Sequence, residues 1–498
     1  MSQFFVDCYS NFQDNVIDKT KINVNEDYFG ILNMTAVSCS VIEKELDFIF
    51  VIDRSGSMDD KCGDGRSKMQ HIIHTLKNMI IYFHEHKHCI KTNITVFAFD
   101  DYFTKVVDRT VVNEESIENI IDNIIKIYPT GLTDIEKALT EVDIYIREIQ
   151  KDHPTNVINH IFMTDGEVTK GAKNFNTLKS MVNQDVMNAF IGFGIHHDAA
   201  LMNYISDHKN SSYHFIDAIE RSGLVYGEIL HGVLYKLLTD VVIHIENGLI
   251  YNYKTNQWDN HLFVGDIVGE SNKVFHIVSN NPDDCSIQVR YNYMNESNAL
   301  EVHKMISLGN IDYSKYIYRQ RTLEILYDVK EYHSSTNMNS SSSLDRDDSS
   351  IINGFNNSLR SSYNKIKKRL LRLFKEMKSY MRSNELIDDS FMKNLCDDIF
   401  ITYRTFGSKY GSMYSCARQT SQGTQRCYTV NQTPDELNYN NRFLNVGNEE
   451  EEDFMLHEVT SDFTKTPYLS QTATIIMNEI SGFDLSVNME NDDEETQV

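Results

Sequence analysis

The fold of this chain is decided by one stretch, Leu46-Asp47-Phe48-Ile49-Phe50-Val51-Ile52-Asp53-Arg54-Ser55-Gly56-Ser57-Met58. Its β-branched and aromatic residues predict a buried strand, and the two serines around Gly56 predict a tight turn where the strand ends. Asp53, Ser55 and Ser57 alternate, so three oxygen ligands can converge on one point. Oxygen ligands without thiol or imidazole suit a hard divalent cation, above all Mg²⁺, with Mn²⁺ or Ca²⁺ as alternatives. The stretch therefore predicts a metal-binding turn.

Two later residues stand where they can join this turn. Thr133 lies in Thr130-Gly131-Leu132-Thr133-Asp134, just before a helical pattern, and Asp165 follows the apolar run 157–164. With these positions the chain resembles the von Willebrand factor A (VWA) family, whose metal-ion-dependent adhesion site (MIDAS) combines D-x-S-x-S with a distant Thr and a distant Asp. The resemblance implies a set of five metal ligands: Asp53, Ser55, Ser57, Thr133 and Asp165. It also leaves room for an empty or vestigial site, as in some members of the family.

The resemblance further implies how such a site is used. The hydroxyls of Ser55, Ser57 and Thr133 coordinate the ion. Asp53 and Asp165 either coordinate it as well or lie directly behind the coordinating groups. The sixth position of the octahedral ion is taken by water or by a carboxylate of a partner protein. An ion ligated mostly by neutral hydroxyls keeps positive charge, which favours an Asp or Glu from another protein. The candidates for the face that meets this partner lie beside the turn: Arg54, Asp59, Asp60, Arg66 and Gly166.

Strand and helix patterns alternate from residue 43 to residue 239. This alternation predicts an α/β fold with a doubly wound, mostly parallel sheet, Rossmann-like, whose ligands bind at the carboxyl ends of the strands. The helix after Ser57 is expected to begin near the metal turn, where its N-terminus favours anions. The intervening segment 59–66 is long and charged, and it is either a gate to the site or an exposed polar loop.

The rest of the chain predicts an added β-sandwich and a C-terminal helical hairpin. Residues 240–305 show several short period-2 strands, and residues 1–42 are expected to donate a strand to the same sandwich. The remaining boundaries are a helix at 306–333, a disordered linker at 334–352, a helical hairpin at 353–410, an irregular segment at 411–447 and an acidic, largely disordered tail at 448–498.

A basic amphipathic helix begins the predicted hairpin. Its apolar stripe consists of Ile366, Leu370, Phe374 and Met377. In one interpretation the stripe belongs to a membrane-surface helix or a localisation signal. In the other, which is preferred, the stripe is the face with which the helix packs inside the hairpin. The order of modules resembles that of eukaryotic proteins that combine a RING with a VWA domain. No Cys/His cluster could form the RING, so ligase activity is not expected.

Composition limits the classes of function. The 498 residues carry a formal net charge of -25, which argues against a nucleic-acid partner. The eight cysteines are scattered, and neither a signal peptide nor a membrane-spanning run is seen, so we expect free thiols and an intracellular, cytoplasmic protein. The richness in Ile, Asn and Tyr suggests an AT-rich genome, such as that of a giant DNA virus or a protist, and a viral source would imply a virion-associated protein.

Three functions follow from these patterns. The leading hypothesis is a non-enzymatic, metal-dependent protein-binding protein, and the first alternative is a structural or scaffold protein with a secondary metal site. A metal-dependent phosphohydrolase is less favoured, because only Arg54 and Arg66 lie nearby in sequence and no nucleophile or general base is placed. His84, His86 and His88 are interpreted as surface histidines rather than as a zinc site.

Overall fold

The structure is a computed structural model that describes residues 6–19, 21–37, 44–62, 64–194, 197–216, 222–293, 296–304, 311–342, 349–408, 410–427, 457, 459 and 466–482. The chain forms two compact units. The α/β unit comprises Cys39–Lys236 and Ser470–Val498, and the sandwich unit comprises Met1–Ser38 and Leu237–Leu469. The sequence therefore leaves the α/β unit, passes through the sandwich unit and returns.

The strands are, in chain order, β1 (Val6–Val16), β2 (Tyr28–Ala36), β3 (Leu46–Asp53), β4 (Thr92–Phe99), β5 (Phe103–Val111), β6 (Val157–Thr164), β7 (Met187–Phe193), β8 (Ser211–Ile216), β9 (Lys236–Glu246), β10 (Leu249–Asn252), β11 (Gln257–Asp259), β12 (His261–Val268), β13 (Ser271–Ser279), β14 (Ser286–Tyr293), β15 (Glu296–Glu301) and β16 (His303–Lys304). The α-helices are α1 (Lys68–Glu85), α2 (Ile117–Ile124), α3 (Ile135–Asp152), α4 (Phe175–Ser180), α5 (Ala199–Ile205), α6 (Ser222–Leu234), α7 (Tyr313–Ser342), α8 (Ser349–Ser383), α9 (Ser390–Thr405), α10 (Gly411–Thr424) and α11 (Gln471–Gly482).

The sheet of the α/β unit has the strand order β5-β4-β3-β6-β7-β8. Strand β5 is antiparallel to β4, and the other neighbours are parallel. All eight residues of β3 are buried, as expected for a central strand covered by helices on both faces. The predicted α/β class with a mostly parallel sheet, additional antiparallel sheets and C-terminal helices is confirmed.

Strand order explains where a ligand can bind in this unit. The chain runs from β3 to β4 on one side, and β6 lies on the other side of β3. Such a reversal opens a crevice at the carboxyl ends of the strands. Asp53 ends β3 and Asp165 directly follows β6, so the topology brings these two carboxylates to the same edge.

Helix α1 begins at this edge, with Ser67 as its N-cap. The Ser67 side chain accepts a hydrogen bond from Gln70 N, and Gln70 Oε1 accepts one from Ser67 N, which completes a capping box. The preceding loop is closed by internal bonds, such as Cys62 N to Arg66 O at 2.8 Å. Asp64 Oδ1 lies 3.1 Å from His71 Nε2 on α1, which ties the loop to the helix.

Helix α11 lies within residues 448–498, the segment predicted as an acidic, largely disordered tail, most of which lies outside the described residues. Its residues Ala473, Ile476, Met477 and Ile480 are buried against α1 and α6. Their i, i+3, i+4, i+7 spacing is that of a helical face, but the high acidic content of the whole segment led us to predict disorder. The order of this helix comes from packing.

Close packing of α11 depends on two glycines of α6. A methyl group at Gly227 would lie 2.7 Å from Met477 Cα, and one at Gly223 would lie 2.9 Å from Ser481 Cα. Asn78 Nδ2 on α1 also donates a hydrogen bond of 2.9 Å to the carbonyl oxygen of Ile480. The lack of side chains at the glycines lets the two helix backbones approach each other.

The sandwich unit consists of two sheets, β11-β10-β13-β2-β1-β16 and β12-β9-β14-β15. Strand β2 pairs antiparallel with both β1 and β13, so the first strands of the chain complete a sheet that is otherwise formed two hundred residues later. Buried side chains of both sheets, including Leu32, Met34, Ile243 and Ile277, form one core. Buried residues alternate with more exposed ones along β9 and the first half of β14, whereas β2 is buried over most of its length.

In the sandwich unit, helices extend into two segments that were predicted to be non-helical. Helix α7 continues to Ser342, into the stretch predicted as a disordered linker, whose residues 343–348 lie outside the described residues.

Helix α10 occupies the start of the segment predicted as irregular, because its polar side chains pair in the interior. Arg418 donates to Asp398 at 2.5 Å, and both side chains are about 1% exposed. Polar groups are tolerated in a core when they satisfy one another.

The basic helix lies within α8, and its stripe packs inside the unit. Leu370, Phe374 and Met377 are buried, and the rings of Phe374 and Phe400 on α9 are 6.2 Å apart. This burial favours the hairpin interpretation over a membrane-surface helix. Within the described part of the chain, no helix has both the length and the apolar content needed to cross a bilayer.

Candidate metal centre

The turn after β3 is held by Asp53, which has no exposed surface. Asp53 Oδ1 accepts a hydrogen bond from Ser55 N at 2.7 Å, and Oδ2 accepts one from Thr164 Oγ1 at 2.6 Å. Burial raises the pKa of Asp53 to about 7, although these hydrogen bonds favour its charged form. A buried carboxylate of this kind is stabilised by a nearby cation, so the position suits a metal centre.

The two serines connect the turn to β6. Ser55 Oγ and Ser57 Oγ lie 3.1 Å apart, and Ser57 Oγ donates a hydrogen bond of 2.7 Å to Asp165 Oδ1. Asp165 is completely buried. Residues separated by 108 positions thus meet at the carboxyl edge of the sheet, where the topology places the ends of β3 and β6.

Thr133 reaches the same place from a third loop. Gly56 N donates to the carbonyl oxygen of Gly131 at 3.2 Å, and Thr130 N donates to that of Arg54 at 2.6 Å, so this loop is bonded to the turn. A methyl group at Gly166 would lie 3.5 Å from Thr133 Oγ1 and 3.7 Å from Ser57 Oγ. The hydroxyls of Thr133 and Ser57 therefore border the same small space.

Lys68 is part of the site, although the sequence analysis did not include it. Its Nζ donates to Asp165 Oδ2 at 2.6 Å, to Asp60 Oδ2 at 3.0 Å and to the carbonyl oxygen of Ser57 at 3.3 Å. Burial alone favours the neutral amine, but the hydrogen bonds and charges of Asp165 and Asp60 raise the pKa of Lys68 above its ordinary value. No spacing rule could identify this residue, because its position depends on how the loop before α1 folds.

The residues predicted for the partner-binding face have different surroundings. Arg54 Nε lies 3.1 Å from Asp100 Oδ2, and Arg66 Nε lies 2.6 Å from Asp64 Oδ2, so both arginines are paired with aspartates. Asp60 is exposed and paired with Lys68. Asp59 is exposed, and Gly166 is half-buried beside the hydroxyls of Thr133 and Ser57.

Exposed apolar side chains lie on the loops that form the site. Tyr102, Tyr128 and Leu132 are 68%, 66% and 48% exposed. Leu132 N donates to Asp101 Oδ2 at 3.0 Å, which brings the loop of Tyr102 next to the loop that carries Thr133. Lys137 lies over the ring of Tyr102, with Nζ 5.3 Å from the ring centre. This rim combines apolar and basic groups.

The donor set fits a hard divalent cation. Carboxylates of Asp53 and Asp165 and hydroxyls of Ser55, Ser57 and Thr133 are oxygen donors of the kind that Mg²⁺ prefers. Among the described residues, no three His, Cys, Asp or Glu side chains come together as a metal site, so a thiol- or imidazole-rich centre is not found there. His86 Nδ1 lies instead 2.9 Å from the carbonyl oxygen of Tyr82.

A family model matches part of the chain. Residues 47–223 match the family model of the von Willebrand factor type A domain. This is a metal-dependent adhesion and interaction fold, and its members are generally non-enzymatic interaction modules. No curated protein matches the chain as a sequence.

Solved structures resemble the chain at low identity. A von Willebrand factor type A protein from Catenulispora acidiphila is 14% identical, with 68% of this chain and 83% of that chain covered and a TM-score of 0.45. The ArnB paralog VWA2 from Sulfolobus acidocaldarius is 12% identical, with 85% and 99% covered and a TM-score of 0.45. Proximal thread matrix protein 1 from the mussel byssus, with a zinc-occupied MIDAS motif, is 20% identical, with 37% and 44% covered and a TM-score of 0.28.

Proposed function

We propose that the von Willebrand factor type A segment binds a divalent cation, Mg²⁺ in the first place, and uses it to capture a carboxylate of a partner protein. The proposed metal ligands are Asp53, Ser55, Ser57, Thr133 and Asp165. The observation that carries the proposal is the hydrogen bond of 2.7 Å between Ser57 Oγ and Asp165 Oδ1, with the Thr133 hydroxyl beside the same space. These donors come from three separate loops of one unit.

Each residue contributes to binding in a definable way. Asp53 fixes the conformation of the turn by accepting hydrogen bonds from Ser55 N and Thr164 Oγ1. The serine hydroxyls are therefore already in position before the cation binds. Asp165 supplies buried negative charge. When bound, the cation supplies positive charge and an open coordination position at which a carboxylate oxygen can replace water.

The rim of the site supports a protein as the ligand. Tyr102, Tyr128 and Leu132 offer exposed apolar surface, and tyrosine is enriched where proteins bind one another. Lys137 stands over the ring of Tyr102, so a basic group accompanies the apolar ones, whereas Lys170 is paired with Asp101, its Nζ lying 3.3 Å from Asp101 Oδ1. A partner segment with an acidic residue next to apolar residues matches this composition.

Phosphoryl transfer is less well supported. That chemistry needs free cationic groups to clamp phosphate oxygens. Arg54 and Arg66 are each paired with an aspartate in the described part of the chain. Lys68 is bonded to Asp165 and Asp60, so it is not available as a clamp in this arrangement.

Calorimetry tests metal binding directly. We expect the full chain to bind Mg²⁺ or Mn²⁺ at one strong site and the Asp165→Ala variant to lose that site. The matched control is Asp122→Ala, which removes an exposed carboxylate on α2 and should leave binding unchanged. Equal binding by wild type and Asp165→Ala would refute the assigned ligands.

A pulldown then tests the partner-binding role. Proteins captured by the wild type in Mg²⁺ should be lost in EDTA and with Asp165→Ala, but kept with Asp122→Ala. Partners retained under all four conditions would instead support the scaffold hypothesis, in which the metal site is secondary.

A further inference from the structure

Thr133 lies in a loop, so the position of its hydroxyl depends on the groups that hold this loop. Asp53 ends β3 and Asp165 directly follows β6, whereas Thr133 stands before α3, whose N-cap is Asp134. Thr133 is only 3% exposed, and within the described part of the chain its hydroxyl takes part in no hydrogen bond. This hydroxyl is therefore available to a cation.

The backbone of Thr133 is bonded to a segment that follows Asp165. Thr169 Oγ1 accepts a hydrogen bond of 2.7 Å from Thr133 N. In the other direction, the carbonyl oxygen of Thr133 accepts bonds of 3.2 Å from Thr169 N and from Lys170 N. Thr133 precedes the N-cap of α3, so its N–H has no acceptor inside the helix and needs one from outside. The Thr169 hydroxyl supplies that acceptor.

The same segment carries Asp165 at its beginning and is anchored further along. Val168 is 7% exposed, so its side chain is held in the core. Ala172 N donates a hydrogen bond of 2.6 Å to Glu136 Oε2, which joins the segment to α3. Asp165 and Thr133, two proposed ligands 32 positions apart in sequence, thus belong to one hydrogen-bonded unit.

We infer that Thr169 is a positioning residue of the metal centre, and that its hydroxyl holds the Thr133 hydroxyl where the cation needs it. This inference rests on the proposed function and adds a residue that acts through a ligand. Mg²⁺ demands nearly ideal octahedral geometry with short bonds to oxygen, so a small displacement of one ligand weakens binding. Of the three bonds between the two threonines and Lys170, only the one to Thr169 Oγ1 comes from a side chain.

A purely structural role of Thr169 has different consequences. Thr169 itself is exposed, and its bond could serve only to stabilise the loop. In that case its loss would lower the free energy of unfolding but leave the metal affinity of the folded chain unchanged. Metal affinity and stability must therefore be measured separately.

The experiment compares full-length variants by calorimetric titration with Mg²⁺ and by urea unfolding in EDTA. Thr169→Val keeps the shape of the side chain but removes the acceptor, and we expect binding to weaken about 10- to 100-fold. Thr169→Ser restores the hydroxyl, and its affinity should lie within about threefold of the wild type. The matched control is Thr140→Val, because Thr140 is an exposed threonine on α3 whose hydroxyl donates to the carbonyl oxygen of Glu136 at 2.8 Å. Its affinity should equal that of the wild type.

A double-mutant cycle with Mn²⁺ tests whether Thr169 acts through Thr133. If it does, Thr169→Val should weaken binding less than about twofold in a Thr133→Ala background, because the positioned ligand is already absent. A loss there as large as in the wild type would overturn the inference.

Two other results also decide the question. Unchanged Mg²⁺ affinity of Thr169→Val, or an equal loss in Thr169→Val and Thr169→Ser, overturns the role of the Thr169 hydroxyl and leaves the proposed metal site standing. A wild type that binds neither Mg²⁺ nor Mn²⁺ refutes the proposed function itself.

Discussion

Lys68 Nζ donates a hydrogen bond of 2.6 Å to Asp165 Oδ2, a carboxylate with no exposed surface. A tethered ammonium thus stands beside a proposed metal ligand. Its charge compensates Asp165 when no divalent ion is bound, and it repels such an ion. The same lysine therefore stabilises the metal-free protein and weakens metal binding.

Replacing Lys68 by methionine should tighten metal binding. The variant keeps most of the side-chain volume but removes the competing charge, so we expect Mg²⁺ or Mn²⁺ affinity to rise about tenfold, an effect of about 1.4 kcal/mol. Calorimetric titration measures it. Lys170→Met is the control, because Lys170 pairs with Asp101 rather than with a proposed ligand. Weaker metal binding by Lys68→Met would contradict this account.

Thr164→Val should destabilise the metal-free protein. Thr164 Oγ1 is a donor to the buried Asp53 carboxylate, and valine keeps the shape but not the hydrogen bond. A buried charged group that loses a partner costs about 1–3 kcal/mol in the free energy of unfolding, which urea titration measures. Thr95→Val is the matched control, since Thr95 is equally buried but bonds the neutral hydroxyl of Tyr145. Its cost should be smaller, and similar losses in both variants would argue against a special role of Asp53.

Gly227→Ala should loosen α11. The added methyl group meets Met477 Cα at 2.7 Å, and backbone atoms cannot move aside as a flexible side-chain end can. We expect the free energy of unfolding to fall by about 1–3 kcal/mol and proteolysis near residue 470 to accelerate. Gly232→Ala, on the same helix with nothing within 4 Å of the new methyl group, should instead be neutral or stabilising. Equal effects of the two substitutions would mean that α11 is not docked as described.

The stability of the α/β unit should fall at acidic pH, partly because of His160. Burial lowers the pKa of His160 to about 4, and its Nδ1 lies 2.8 Å from Asn188 Oδ1. In the unfolded chain its pKa is near 6.5, so the unfolded state binds more protons between these values and stability decreases as pH falls from about 6.5 to 4.

Substituting His160 by glutamine measures this contribution. Between pH 7.5 and 4.5, the variant should lose about 2–3 kcal/mol less stability than the wild type, as followed by far-UV circular dichroism in urea. His153→Gln, at an exposed position, serves as control and should keep the wild-type pH dependence. An unchanged pH profile in His160→Gln would show that the pKa of His160 is the same in the folded and the unfolded chain.

The sequence predicted the fold class well because the central strand β3 is buried on both faces. A continuous apolar run that ends in Asp53 has few other structural interpretations. The five proposed ligands could be named from the family resemblance and from their positions after strands or before a helix. Their joint use of one cation stays a prediction that the calorimetric experiment tests.

Other features could not be predicted, for physical reasons that differ from case to case. The contact of Lys68 with Asp165 depends on the fold of an irregular loop, for which local sequence gives no rule. Helix α11 was missed because the acidic composition of residues 448–498 predicts disorder, although four apolar residues in this segment have the spacing of a helical face. Helix α10 was missed because Arg418 and Asp398 neutralise each other inside the protein, which composition does not reveal.

The return of α11 to the α/β unit has a consequence for biosynthesis. The ribosome finishes residue 236 long before residue 470, and the roughly 230 intervening residues take about 10–50 s to translate. During that time the nascent chain exposes the surface of α1 and α6 that α11 later covers. Molecular chaperones can bind this surface, and a translation product that stops short of α11 would keep it uncovered and would be prone to aggregate.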